Sequence, residues 1–273
     1  MASLSISRAW DETKDRIRRD GKLYMVVAAA LIALPGLIVG VIDPVATRSP
    51  GSITSGLLLF VSSLLGLVGQ LAIIRMAIGS AVSVGEAIGH GARRMPIYFV
   101  AAILVIVGFL LALIPFAVVM YAAGVPVENE TALARSPTGM ILLLLYFLFV
   151  LFVGVRLLMS SPVASEESAG PIEILRRSWR LTEGHWWRLF GFIVLFLIAA
   201  GITISVVDWG AGLVAIGLLG DIEPMSAAAL FVAVIASILN AVVTVVLAVM
   251  LARIYLQLAG RESVDVSVPK SGT

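Results

Sequence analysis

His90 and His185 are the only histidines in the chain, and Glu86, Glu166, Glu167, Glu173 and Glu183 lie near them in sequence. Two imidazoles and a carboxylate could hold zinc, or serve as the acid and base of a hydrolase. The spacing supports neither chemistry. No HExxH pair occurs, the two histidines fall on different segments, and no phosphate-binding loop, GxSxG elbow or dinucleotide fingerprint sits in a strand-turn-helix setting. Cysteine is absent, which removes disulfide frameworks, thiolate metal sites and cysteine nucleophiles together. No catalytic residue, metal site or cofactor is expected, and the chain reads as a non-enzyme.

Arginine and tryptophan carry the remaining chemistry. The stretch GPIEILRRSWRLTEGHWWRLFGF holds Arg176, Arg177, Arg180 and Arg188 among Trp179, Trp186 and Trp187. Such a mixture could stack on nucleic-acid bases or sit among lipid headgroups. Composition decides between them. The chain is 60% hydrophobic and 13% charged, where an ordinary soluble domain carries about 25% charged residues. Its mean hydropathy is +1.07, and the formal net charge is only +2 despite a pI near 9.1. Membrane lipids with anionic headgroups are therefore the expected partners, and nucleic acid is not. Each arginine is worth about 1 kcal/mol against an anionic leaflet.

The elements that position these residues are apolar windows long enough to cross a bilayer, which takes about 20 residues of helix. They run Leu23 to Ile42, Ile53 to Gly79, Ile97 to Ala123, Met140 to Ser161, Leu189 to Val207 and Ala228 to Ala259. Each is continuous rather than alternating, so an all-α membrane protein with six transmembrane helices is expected. Lys and Arg gather before the first window (Arg8 to Lys22), at Arg93 and Arg94, at Arg176 to Arg188, and at Arg261 and Lys270. The other side offers Arg48 and Arg135, with Asp43, Glu128, Glu130, Asp208, Asp221 and Glu223. By the positive-inside rule both termini lie in the cytoplasm of a bacterial inner membrane. No cleavable signal peptide is expected in the polar start MASLSISRAWDETKDRIRRDGK.

The odd-numbered windows share an introduction. Ile6, Trp10, Thr13 and Ile17, then Val84, Ile88, Gly91 and Met95, then Leu175, Trp179, Thr182 and Trp186 recur at helical spacing. Each reads as an interfacial amphipathic helix followed by a bend into the bilayer, with Ser83 and Glu86 forming a capping box. The even-numbered windows each end near an arginine, Arg75, Arg156 or Arg253. Three pseudo-repeats of one interfacial helix plus one helical hairpin follow. The expected division is a cytoplasmic amphipathic helix over 1–22, a membrane domain over 23–259, and a disordered cytoplasmic tail over 260–273.

Within the windows, Pro35 and Pro115 are expected to kink their helices. Ala199, Ala200 and Gly201 are expected to permit close packing in the fifth, and Gly66 and Gly69 helix contact in the second. Gln70 and Asn240 are expected to bond across helices. A central arginine costs roughly 2.5 to 3.5 kcal/mol on insertion. Arg75, Arg156 and Arg253 must then snorkel to the interface, or converge on an axis, pairing with Glu166 or Glu167 or binding a lipid phosphate.

The run PVASEESAGPIEILRRSWRLTEGHWW, Pro162 to Trp187, resembles the membrane domain of bacterial glycerophosphoryl diester phosphodiesterases and the related YciC-like inner-membrane proteins. The likeness rests on the proline, the acidic pair Glu166 and Glu167, Gly170-Pro171, RRSWRLT, and Gly184 with its aromatics. GEAIGHGARRMPIYF resembles the corresponding signature of the preceding unit. The resemblance implies a multi-helix membrane module without an assigned reaction, because the phosphodiesterase activity of that family belongs to a separate soluble barrel. After Ala259 only GRESVDVSVPKSGT remains, so no hydrolase activity is expected.

The function expected is that of a non-catalytic inner-membrane protein whose basic cytoplasmic rim engages anionic lipid or a membrane protein partner, a second copy included. The candidate contacts are Arg75, Arg156, Arg253, Arg176, Arg177, Arg180, Trp179, Trp186 and Trp187, with Glu166 and Glu167 as acidic partners. The alternative is a transporter or lipid-handling channel with an arginine-lined entrance. An intramembrane hydrolase using His90 or His185 ranks last.

Overall fold

A computed structural model describes residues 4–44, 52–79, 82–125 and 136–260. Arg48, Glu128, Glu130, Arg135, Arg261 and Lys270, and residues 261–273 of the expected tail, lie outside the described residues. The elements are α1 (Ile6–Ala28), a π-helical turn (Ala29–Ala33), α2 (Leu34–Ile42), α3 (Ile53–Ile78), α4 (Val84–Ala122), α5 (Pro137–Arg156), α6 (Ser160–Glu166), α7 (Pro171–Leu181), α8 (Trp186–Leu219) and α9 (Ala227–Leu258). No strand occurs among the described residues. Six helical segments are long and apolar enough to cross a membrane. The chain is a multi-pass membrane protein.

The helix starts are written in the sequence. Ser5, Ser52, Ser136 and Ser226 each accept a backbone N–H from the first turn of α1, α3, α5 and α9, satisfying one of the donors a helix leaves free. Ser83 and Glu86 form the full capping box of α4, each side chain taking the other's backbone N–H. Prolines open α5 and α7 where a missing N–H costs nothing. Pro35 stands in the first turn of α2, directly after the π-helical turn. The widened turn accommodates a ring that would otherwise strike the carbonyl four residues earlier. Pro96 and Pro115 lie inside α4, whose helix continues through both.

Only the third unit has the break expected between amphipathic helix and span. There α7 ends at Leu181, and a turn through Gly184, with φ at +78°, leads into α8. A side chain disfavours that left-handed backbone. Trp186 therefore belongs to the next helix, not to the stripe of Leu175 and Trp179. In the first unit, helix runs unbroken from Ile6 to Ile42, about 55 Å at 1.5 Å per residue, through the boundary placed at Lys22. This rod lies antiparallel along α9. Ser5 N donates to Gln257 Oε1 at 3.0 Å, Thr13 Oγ1 meets Met250 Sδ at 3.4 Å, and Met225 N donates to Val41 O at 2.8 Å. Of its apolar stripe Thr13 is fully buried beside Ala9, and Ile6 and Ile17 are half-buried, while Trp10 is exposed. Helix α4 likewise lies on α3, because Gly91 lets the backbones touch: a Cβ there would stand 2.6 Å from Val68 O.

The spans close a circuit, α2 to α3, α4, α5, α8, α9 and back to α1–α2, with α3 also against α9. Helices α6 and α7 fill the end where α1 starts and α9 finishes, α6 touching α3, α4, α7 and α9. Both buried clusters sit toward that end. One joins Leu71, Met159, Val163, Leu189, Leu251 and Tyr255; the other joins Tyr24, Val27, Ile73, Ala77, Ala248 and Ala252. Close contact at Ala199 to Gly201 is not found. All three lie in a largely exposed stretch of α8, and a Cβ on Gly201 would meet nothing within 4 Å. Gly66 is equally open, whereas a Cβ on Gly69 would stand 3.1 Å from Leu31 and 3.2 Å from Ile32 of the π-helical turn.

Candidate functional site at the basic end

The short helix α6 is the hub of the basic end. A helix leaves its last carbonyls without donors, and those of α6 are met by cationic and imidazole side chains of α4. His90 Nε2 lies 2.6 Å from Ser165 O, and Arg94 Nη2 donates to Glu167 O at 2.6 Å. Ser165 Oγ donates to Leu71 O at 3.1 Å, fastening α6 to α3. The two acidic residues then recruit three further elements. Arg75 of α3 reaches Glu166 Oε1 at 2.6 Å, with Glu166 only 7% exposed. Glu167 Oε1 accepts from Arg177 Nε of α7 at 2.9 Å and from Tyr255 OH of α9 at 3.0 Å. Charge-assisted bonds of this length are the stronger kind.

Arginines also cap the end of α3. Arg253 Nη2 donates to Ala77 O at 2.6 Å, and Arg16 Nη2 donates to Gly79 O at 3.0 Å while its Nη1 pairs with Asp20 at 3.0 Å. Positive charge there complements the helix dipole. Arg188 Nη1 donates to Leu4 O at 2.7 Å, so the start of α8 holds the start of α1. Arg75, Arg156 and Arg253 thus do not converge on an axis. One pairs with an acid and one caps a helix.

Arg156 does neither. Its guanidinium carbon lies 5.5 Å from the Phe152 ring centroid and 5.3 Å from that of Trp179. Its Nε and Nη1 are shielded and without an acceptor among the described residues. Its carbonyl accepts from Ser178 Oγ at 2.9 Å and Thr182 Oγ1 at 3.1 Å. Beside it Trp186 Nε1 donates to Phe152 O at 3.3 Å, and the Trp186 ring stacks on Phe190 at 4.9 Å. On the outer surface of α7, Arg176 and Arg180 are exposed, next to exposed Ile172 and Trp179. No ion pair or hydrogen bond of the described residues occupies either arginine side chain. Trp187 is 76% exposed.

The remaining candidates are dispersed. His185 Nδ1 lies 3.1 Å from Glu183 O in the exposed turn before α8, away from the α6 hub that holds His90. Among the described residues no three His, Cys, Asp or Glu are placed to hold a metal ion. Asn240 bonds within its own helix, to Thr244 at 3.2 Å, and Gln70 makes no hydrogen bond to a described residue. Sequence reasoning missed His90 and Arg94 as partners of the last carbonyls of α6, and Tyr255 as a partner of the Glu167 carboxylate. A signal existed, since the end of a seven-residue helix needs outside donors, but α6 starts where the fourth window ends and its run Ser160–Glu166 was not read as a helix. It also missed Asp208, which ended the fifth window as a charge. Helix α8 continues past it to Leu219, leaving Asp208 Oδ1 buried and without a hydrogen-bond partner among the described residues.

A family described as a domain of unknown function, DUF7847, matches residues 4–258. The chain belongs to that family. The DUF7847 match runs from the residue before the Ser5 cap to the last residue of α9, so all six spans and the α6–α7 hub form one family unit. No curated protein and no solved structure matches the chain.

Proposed function

We propose that this protein is a non-catalytic, multi-pass protein of the bacterial inner membrane, with both termini cytoplasmic, which engages anionic lipid headgroups through its basic rim. The observation that carries the reading is the outer face of α7. Arg176 and Arg180 are exposed and without a partner among the described residues, beside exposed Ile172 and Trp179, while the neighbouring Arg75, Arg94, Arg177, Arg188 and Arg253 are bound within the fold. Cations flanking an apolar edge suit the phosphate layer, with rings at headgroup depth. In this reading the likeness to the phosphodiesterase membrane domain concerns the membrane module alone. The three-unit pseudo-repeat belongs to the proposal, supported by Arg75, Arg156 and Arg253 standing near the same ends of α3, α5 and α9.

The test is lipid retention by the full-length protein in mild detergent. Anionic lipid should be enriched over zwitterionic lipid, and Arg176→Ala/Arg180→Ala should lower that enrichment several-fold. Equal enrichment in the double variant removes the reading. A second reading, a lipid-handling channel, is favoured by the sparse contact of α5 with α8 in an otherwise closed circuit. It requires lipid movement across vesicles that Arg156→Leu abolishes.

A further inference from the structure

We propose that the seam between α5 and α8 seats one bilayer phospholipid, its phosphate held by Arg156 and its acyl chains lying along the open walls of the two helices. The inference rests on the reading that this end meets lipid headgroups, and goes beyond it by naming a single seat away from the α7 surface.

The first argument is an accounting of donors. A guanidinium stays charged and carries five N–H donors. The bound arginines of the hub each have an acceptor: Arg75 has Glu166, Arg94 has Glu167 O, Arg177 has Glu167 Oε1, and Arg253 has Ala77 O. Arg156 has none among the described residues, although its Nε and Nη1 are shielded from water and the Phe152 and Trp179 rings stand beside it. Shielded donors without acceptors are costly. The two rings stabilise the charge but supply no oxygen. Ser178 and Thr182 hold the Arg156 carbonyl, so the end of α5 is fixed before any ligand arrives.

The second argument is the wall. Contact of α5 with its neighbours α4 and α8 is the sparsest in the circuit, and at the basic end Trp186 of α8 lies against Phe152 of α5, ring centroids 5.7 Å apart. Along the helices from that point, Leu145 and Leu148 of α5, at helical spacing from Phe152, and Leu197 of α8, at helical spacing from Trp186, are exposed on the faces that carry those two rings. A cation at the foot of an apolar seam matches a phosphate diester carrying acyl chains. Free phosphate would leave the walls bare, and an acidic peptide would have to enter the apolar layer with its backbone unpaired.

Native mass spectrometry of the full-length protein with added phosphatidylglycerol tests this. After collisional stripping of loose adducts, wild type should keep one lipid. That one-lipid fraction should fall about tenfold in Arg156→Leu, survive in part in Arg156→Lys, and be unchanged in Arg176→Ala/Arg180→Ala. Thermal unfolding in detergent checks that each variant is folded. If Arg156→Leu fails that check, Arg156→Gln takes its place with the same expectation. An undiminished one-lipid fraction in the folded Arg156 variant, or none in wild type, overturns the seat and leaves the α7 surface untouched. Loss of the last lipid from the α7 variant alone places the lipid on that surface and equally overturns the seat.

Discussion

The two flanks of the circuit are built differently. Along α1–α2, α3 and α9, between 22% and 33% of the most apolar window is buried inside the protein, against 6% in the corresponding windows of α4, α5 and α8. Small side chains explain the first flank. Ala72, Ala77, Ala241, Ala248 and Ala252 are buried where α3 and α9 meet α1, and helices in lipid associate through such close packing because burial of apolar area alone gains little there. The second flank carries Leu110, Leu111, Leu144, Phe147, Leu195 and Ile202 on its surface. Stability resides in the alanine-lined flank and the arginine-capped end, and the other flank is left free to meet lipid.

Four substitutions sharpen that contrast. Gly91→Leu should have the largest effect, a loss of about 3 kcal/mol or more, since its Cβ would stand 2.6 Å from Val68 O and 3.2 Å from Ala72 N, backbone atoms that cannot swing aside. Thermal unfolding in detergent reads it, and a change within error would show that α4 is not seated on α3. Arg75→Met should cost roughly 2 kcal/mol by removing the 2.6 Å charge-assisted bond to the nearly buried Glu166. Adding Glu166→Gln should recover part of the loss, and strict additivity in the cycle would mean that the pair is not coupled. Ser83→Ala removes one half of the α4 capping box and should cost about 1 kcal/mol. Leu144→Ala on the exposed flank should change stability by less than about 0.5 kcal/mol; a loss as large as that of Gly91→Leu would erase the distinction between the flanks.

Much of the fold was legible in the sequence, and the reasons differ by element. Window length gave six spans because lipid imposes a length that soluble folds lack. The capping box was legible because Ser83 and Glu86 satisfy each other locally. The destination of the amphipathic stripes was not. Thr13 and Gly91 were assigned to a lipid-facing interface, yet both face protein, and helical spacing is the same whether the apolar face meets lipid or a neighbouring helix. Ala199 to Gly201 misled for the converse reason, since small residues permit contact without requiring it. The arginines were identified by type and the acidic pair as their partner, as Arg75 on Glu166 shows, but Arg253 and Arg188 are taken by backbone carbonyls, Ala77 O and Leu4 O, which no side-chain pattern announces.

Topology is the claim on which the rest depends, and the absence of cysteine from the chain allows it to be measured directly. Glu183 in the turn before α8 and Glu223 in the turn before α9 are both exposed, at opposite ends of α8. In whole cells, a membrane-impermeant maleimide should label Glu223→Cys and should label Glu183→Cys only after the membrane is opened. Labelling of Glu183→Cys in intact cells, or of both positions from the same side, would contradict a basic rim that faces the cytoplasm.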